Sequence, residues 1–242
     1  MSSDNSEIYD SSFVRSLFDE MSKTYDKVNY VTSFGFSALW RKQCVDHLDI
    51  SEGAVVYDLM TGMGECWPYI LKGTGSKGKL IAIDFSAQMI KGAGTRMAQQ
   101  KYENVLLMQN DILDNGMEDA SAGYIVSAFG LKTFSDIQLE ILAREVHRLL
   151  KPGGAFSFIE ISKPSNVVLN GLYLFYLKRI IPFLGKVFLG NPENYRMLGT
   201  YTDKFKDCTR AMELFQKAGL NVSYKKYFYS CATGITGSRS LL

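Results

Sequence analysis

The stretch that decides the fold is Ala54-Val55-Val56-Tyr57-Asp58-Leu59-Met60-Thr61-Gly62-Met63-Gly64-Glu65. An apolar run ends in an aspartate and passes at once into a turn with two glycines. A second apolar run, Leu80-Ile81-Ala82-Ile83, ends in Asp84. The pattern describes a buried strand delivering the backbone into a turn where a ligand can press against the main chain. The next strand then offers a carboxylate to a ribose. A nucleoside-bearing cofactor at the carboxyl edge of a parallel sheet is the chemistry this arrangement serves.

The spacing argues against a dinucleotide. In G-x-G-x-x-G the third glycine lets the helix pack close to the strand. Counting from Gly62 and Gly64, that position is Trp67. The plain alternative is a strand–helix turn that needs glycine only for its backbone angles. Asp58 before the turn and Asp84 at the next strand end favour the functional reading. Asp84 also has a capping alternative, but Ser86 already serves as the N-cap of the following helix. Asp111 follows the third strand, where it either accepts from an adenine amino group or is a solvated turn residue.

Strand-like runs at 55–58, 80–84, 105–108, 124–128 and 155–161 alternate with amphipathic stretches. The clearest of these is 136–150, where Leu139, Leu142, Val146 and Leu149 define one apolar face. Ser135 and Gln138 predict a capping box at its start, and Lys151-Pro152-Gly153-Gly154 stops it. Such alternation predicts an α/β fold with a mostly parallel sheet covered on both faces. Residues 11–21 and 37–48 read as N-terminal helices. An aromatic segment at 167–190 is followed by a polar stretch, a last helix at 209–218, and a closing antiparallel pair at 221–229 and 231–236.

The 242 residues are 46% hydrophobic with a formal charge of +2, enough for one sizeable core. No basic stripe is present, so nucleic acid is not an expected partner. Four scattered cysteines and two histidines suit neither a disulfide framework nor a metal site, and no metal is expected. The polar start, Met1 to Glu7, lacks a signal-peptide pattern, and a cytoplasmic location is expected. Lys178, Arg179, Pro182 and Lys186 break the 167–190 segment below the roughly 20 apolar residues of a membrane span. An exposed apolar lid there would suit a homodimer interface or peripheral membrane contact equally.

Longer motifs extend the comparison. Phe18-Asp19-Glu20-Met21 with Tyr25-Asp26 and Asn29, Gly35 with Trp40-Arg41, Arg148 through Gly154, and Glu160-Ile161-Ser162-Lys163-Pro164 can be set side by side with a known family. Together they resemble the class I S-adenosylmethionine-dependent methyltransferases, and more narrowly the ubiquinone/menaquinone C-methyltransferases. The resemblance implies a Rossmann-like seven-stranded sheet with N-terminal helices and a helical lid insertion. It implies one domain: a helical cap at 1–50, a cofactor core at 51–165, a substrate lid at 166–205, and a C-terminal helix with closing strands at 206–242. S-adenosyl-L-methionine is the implied cofactor and an apolar aromatic small molecule the implied acceptor. O- or N-methylation of a secondary metabolite, or a non-methylating reaction on a quinone-like ligand, are the rival activities.

The resemblance assigns cofactor binding to Asp58, Met60, Thr61, Gly62, Met63, Gly64, Asp84, Phe85, Asp111, Ile112 and Ala128. The chain departs from the family pattern at Met63, where a threonine is usual, and at Ala128 and Lys132-Thr133, where the pattern has serine and Arg-Asn. Lys132 and Tyr25 are the candidates for steering an acceptor proton. An ammonium is a point charge that burial can drive toward its neutral form; the alternative is a solvated lysine leading a helix. Aromatics at 173–188 are read as lid packing, or as a wall of the acceptor pocket.

Overall fold

Val56 and Tyr57 are neighbours in the chain and both are buried, on opposite faces of one sheet. The same holds for Ile125 and Val126, and for Phe158 and Ile159. Side chains alternate along a strand, so burial of both members of each pair requires helices on both faces. The computed structural model describes residues 7–22, 33, 35–181, 183 and 192–241. Seven strands are present: β1 (Val55–Leu59), β2 (Lys79–Asp84), β3 (Val105–Gln109), β4 (Ala122–Ala128), β5 (Leu150–Ile161), β6 (Leu220–Tyr227) and β7 (Ala232–Arg239). Their order is β3-β2-β1-β4-β5-β7-β6, with β7 antiparallel to both neighbours and the other pairings parallel.

Among the described residues the α-helices are α1 (Ser11–Met21), α2 (Phe36–Asp46), α3 (Trp67–Thr74), α4 (Ala87–Gln100), α5 (Asp136–Leu149), α6 (Val167–Phe175), α7 (Pro192–Phe205) and α8 (Thr209–Lys217). α5 begins at the expected capping box, with Ser135 and Gln138 bonding reciprocally, and presents Leu139, Leu142, Val146 and Leu149 to the core. On that face α5 and α8 cover the sheet, Phe215 of α8 packing against Phe156 and Phe158 of β5. On the other face α2 and α3 bury Trp40, Trp67 and Ile70 against Val56 and Leu80. A third cluster joins Val14, Leu17 and Met21 of α1 to Tyr201 of α7. The Tyr201 hydroxyl donates to the Ile8 carbonyl, fixing α7 to the turn Glu7–Tyr9.

Two segments differ from the sequence expectation. Lys151-Pro152-Gly153-Gly154 ends α5 but lies inside β5, where the register against β4 shifts between Ala122 and Tyr124. The polar stretch after residue 190 contains the helix α7, whose inward face is half polar: Asn194 and Thr202 are buried alongside Tyr201. All four cysteines are free and buried. No described helix is long and apolar enough to cross a membrane.

Candidate active site

At the carboxyl edge of β1, β2 and β4, under α1, lies a cavity partly open to solvent. Asp58, Met60, Thr61, Gly62, Asp84, Phe85, Asp111, Ile112 and Ala128 all line it. The two remaining residues assigned to the cofactor-binding turn do not. Met63 turns its side chain outward, where it would crowd a Cβ at Gly92 of α4, and Gly64 is buried beneath Trp67. Of the turn, Met60, Thr61, Gly62 and Glu65 line the cavity.

The turn is held by a chain of polar contacts. The Trp67 indole donates to Thr61 Oγ1 at 2.9 Å, and the Thr61 hydroxyl donates to Asp58 Oδ2 at 2.5 Å. Trp67, too large for a dinucleotide fingerprint, is thus the buried prop of the turn. A Cβ at Gly64 would stand 2.6 Å from the Trp67 ring, on a backbone at φ +83. Gly64→Ala is expected to lower stability by about 2–4 kcal/mol, from strain and overpacking together. Denaturant unfolding measures this; a loss below about 0.5 kcal/mol would show that the turn can relax. Met60 (φ 55) and Phe129 (φ 70) also hold left-handed backbone, and Met60 packs so near Gly130 that a Cβ there would lie 2.4 Å from its sulfur.

Asp84 accepts the Gly62 N–H at 2.9 Å and the Ser86 N–H at 3.0 Å, so it ties β2 to the turn while facing the cavity. Burial pushes its carboxyl up to about 6, against the pull of those two amides. Burial likewise pushes Asp58 up to about 7, with Thr61 donating against it. A carboxyl raised on folding stabilises the native state fully below about pH 4, and that contribution is lost as pH rises through its folded value. Asp58→Asn removes one such group. The melting temperature of the wild type, measured without cofactor, is therefore expected to fall relative to the variant between pH 5 and pH 8. A constant difference over that range would contradict the buried, raised carboxyl.

Ser86 caps α4 by accepting the Met89 N–H at 3.1 Å, as its position predicted. Its hydroxyl also donates to Asp19 Oδ1 at 2.5 Å, and Asp19 accepts the Gln88 N–H as well. α1 is thereby pinned over the β2 end. Val14 and Phe18 form part of the cavity's roof, and the Arg15 guanidinium lies over the Phe85 ring at 5.3 Å.

Lys132 is neither in solvent nor in the cavity wall. It is 5% exposed, and its Nζ donates to Glu160 Oε1 at 2.6 Å, while its backbone N–H donates to Glu160 Oε2 at 3.1 Å. Glu160 is the penultimate residue of β5 and is fully buried. The pair anchors the short turn Leu131–Thr133, whose Thr133 does line the cavity. With its Nζ on Glu160 and its side chain outside the cavity wall, Lys132 is placed to anchor the turn rather than to reach an acceptor's proton. Tyr25 lies outside the described residues, as does Phe188. The other lid aromatics do not line the cavity: Phe175 and Phe183 are exposed, and the Tyr173 hydroxyl donates to the Cys231 carbonyl at 3.4 Å.

Sequence reasoning passed over several wall residues, among them Tyr9, Arg41, Cys66, Asn110 and Phe129. Arg41 sat in the Trp40-Arg41 motif and Asn110 beside Asp111, so both had a signal; Tyr9 had none. Among the described residues no cluster suited to a metal ion is present.

The donor set fits an adenosyl sulfonium. Its carboxylates are of the kind that accept from ribose hydroxyls and an ammonium, the glycine turn leaves room for a close approach to the main chain, and Phe85, Ile112 and Leu113 add apolar wall. This strand order with this site defines a class I S-adenosylmethionine-dependent methyltransferase. The sequence profile of the ubiE/COQ5 methyltransferase family matches residues 5–239, and the chain belongs to that family. It is 32% identical over 216 residues to the demethylmenaquinone methyltransferase of Lactococcus lactis subsp. lactis (strain IL1403), covering 88% of this chain and 84% of the relative. The enzyme of the same name from Staphylococcus aureus (strain JH9) is 31% identical over 215 residues, covering 88% of each. A SAM-dependent methyltransferase from Aquifex aeolicus shares the fold with a TM-score of 0.58 at 21% identity, over 81% of this chain and 88% of that one.

Proposed function

We propose that the chain methylates a ring carbon of a quinol-like aromatic acceptor. The observation that carries this reading is the similarity to two demethylmenaquinone methyltransferases over 88% of the chain. The apolar character of the cavity around Phe18, Phe85, Phe129 and Phe134 supports it. In this reading Asp84 takes the ribose hydroxyls, Asp111 and Ile112 frame the adenine, and Met60, Thr61 and Gly62 meet the amino-acid portion. Phe85 and Ala128 close the sides.

When bound, S-adenosyl-L-methionine supplies an electrophilic methyl on a positively charged sulfur. The protein's share is alignment of the acceptor carbon for in-line attack and exclusion of water, a role supported by Val14 and Phe18 of α1 and Thr133 lining the cavity. Loss of a phenolic proton raises electron density at the adjacent ring carbon. Tyr25, preceding α2, is our candidate for steering that proton; Lys132 serves by holding the turn. The exposed residues Val168, Leu172 and Phe175 of α6 suit contact with a second copy or a bilayer surface.

The test is incubation with a demethylated quinol and cofactor carrying a labelled methyl. Mass spectrometry should show one added methyl, and NMR should place it on ring carbon. Label on oxygen or nitrogen would replace this reading with the heteroatom alternative. No transfer to any quinol would remove the acceptor class.

A further inference from the structure

We infer that α6 and the turn joining β6 to β7 form one surface that docks on an anionic lipid bilayer, at the edge of the sheet that carries the cavity.

Val168, Leu172 and Phe175 recur at four- and three-residue spacing on α6 and are 73%, 64% and 60% exposed. Leu169 and Tyr173, on another side of the same helix, pack against the core. α6 therefore covers one apolar stripe and leaves a second in water. Phe228 and Tyr229, in the turn after β6, are exposed as well, Tyr229 at 76%. Phe228, Tyr229 and Ser230 hold left-handed backbone in succession, at φ 36, 52 and 65. Such backbone is costly for residues other than glycine, and here it carries two aromatic rings out to the surface. The Phe228 ring rests on Phe36 at the start of α2, 4.6 Å between centroids, which fixes its place there.

The Tyr173 hydroxyl, donating to the Cys231 carbonyl, ties α6 to this turn. Ile161, the last residue of β5, pairs with Ala232, the first of β7. Both elements thus leave the sheet at its carboxyl edge, where β1, β2 and β4 open into the cavity. None of these exposed side chains lines the cavity itself.

Charge decides the occupant. The whole chain is nearly balanced, with 27 Lys and Arg against 25 Asp and Glu. Residues 161–192, which include α6, contain Lys163, Lys178, Arg179 and Lys186 and no Asp or Glu. Residues 220–242, which include the turn, contain Lys225, Lys226 and Arg239 and again no acid. Asp203 of α7 lies between Lys163 and Lys178, at 2.6 and 2.5 Å, two cations to one anion. Arg179 and Lys226 are exposed. Apolar and aromatic side chains edged by cations suit the boundary between headgroups and acyl chains: the rings enter while the charges stay with anionic headgroups. A two-fold contact between copies would instead set these cations against their own kind. Docking holds the cavity's edge of the sheet beside the phase in which an apolar acceptor dissolves.

The test is sedimentation of the full chain, without cofactor or acceptor, with vesicles of phosphatidylcholine alone and of phosphatidylcholine mixed with phosphatidylglycerol. The wild type should bind the anionic vesicles about 30-fold or more tightly than the neutral ones, and lose that preference as salt is raised. Arg179→Gln combined with Lys226→Gln should weaken binding to anionic vesicles about 30-fold and leave the neutral ones little changed. Leu172→Ser combined with Tyr229→Ser should lose at least about tenfold on anionic vesicles. Unchanged melting temperatures, expected for exposed sites, separate a lost contact from a lost fold. A wild type that stays in solution with both vesicles, or variants that bind as well as wild type, would overturn the assignment. So would a dimer in sedimentation equilibrium that the Leu172→Ser, Tyr229→Ser variant dissociates, since the face would then belong to a second copy.

Discussion

Replacing Lys132 by Met is expected to destabilise the fold by about 3–5 kcal/mol, the usual consequence of stranding one member of a buried ion pair. For a chain of this length that corresponds to roughly 6–20 °C in melting temperature. Glu160 accepts three hydrogen bonds, from Lys132 Nζ, the Lys132 backbone and the Ile161 backbone, and is wholly out of water. Removing the ammonium leaves that carboxylate with two amides and no countercharge. The companion experiment is the double replacement Lys132→Met with Glu160→Leu, which removes both charges. It should recover only part of the loss: no unpaired charge stays buried, but the Lys132 and Ile161 amides lose their acceptor. Urea unfolding of the two variants measures both effects. A single variant within about 1 kcal/mol of wild type would mean that the site admits water and that the anchoring account is wrong.

The second large effect is on binding. Asp84→Asn is expected to weaken S-adenosylmethionine by about 100-fold, the scale of losing charge-assisted hydrogen bonds to sugar hydroxyls. Asparagine has one acceptor oxygen, while Asp84 already uses both of its own for the Gly62 and Ser86 amides. The variant must therefore surrender one of those amides as well as the negative charge. The acid limb supplies an independent check. Protonation of Asp84, whose carboxyl sits at about 6, removes the same charge. Wild-type affinity should thus decline as pH falls through about 6, while the asparagine variant lacks that decline. Calorimetry across pH 5 to 8 tests both statements. Binding by the variant within threefold of wild type would take the ribose role away from Asp84.

What could be read from the chain was whatever depends on near neighbours. The capping box at Ser135 and Gln138 is a three-residue pattern, and it formed as written. Strand ends at Asp58 and Asp84 followed from short apolar runs, and both residues face the cavity. The Lys132–Glu160 pair spans 28 positions and joins a turn to a strand end, so no local pattern announces it. α7 was hidden for a different reason. Its buried face mixes Asn194, Tyr201 and Thr202, and its polar atoms find partners such as Glu20 only after folding. Periodicity of apolar residues is blind to a helix of that kind. Met63 and Gly64 were placed at the ligand because a turn's sequence does not say which of its residues point inward.

The contact between Asp19 and Ser86 ties ligand exchange to the first part of the chain. Lifting α1 to release a spent nucleoside breaks the bonds from the Ser86 hydroxyl and the Gln88 amide at the start of α4. Losing a helix cap is worth about 1 kcal/mol. That is a threshold thermal motion crosses readily, yet it is renewed on every cycle. The segment ahead of the sheet is thus latched to the same loop that carries Asp84, so a closed latch and an occupied cavity would reinforce each other.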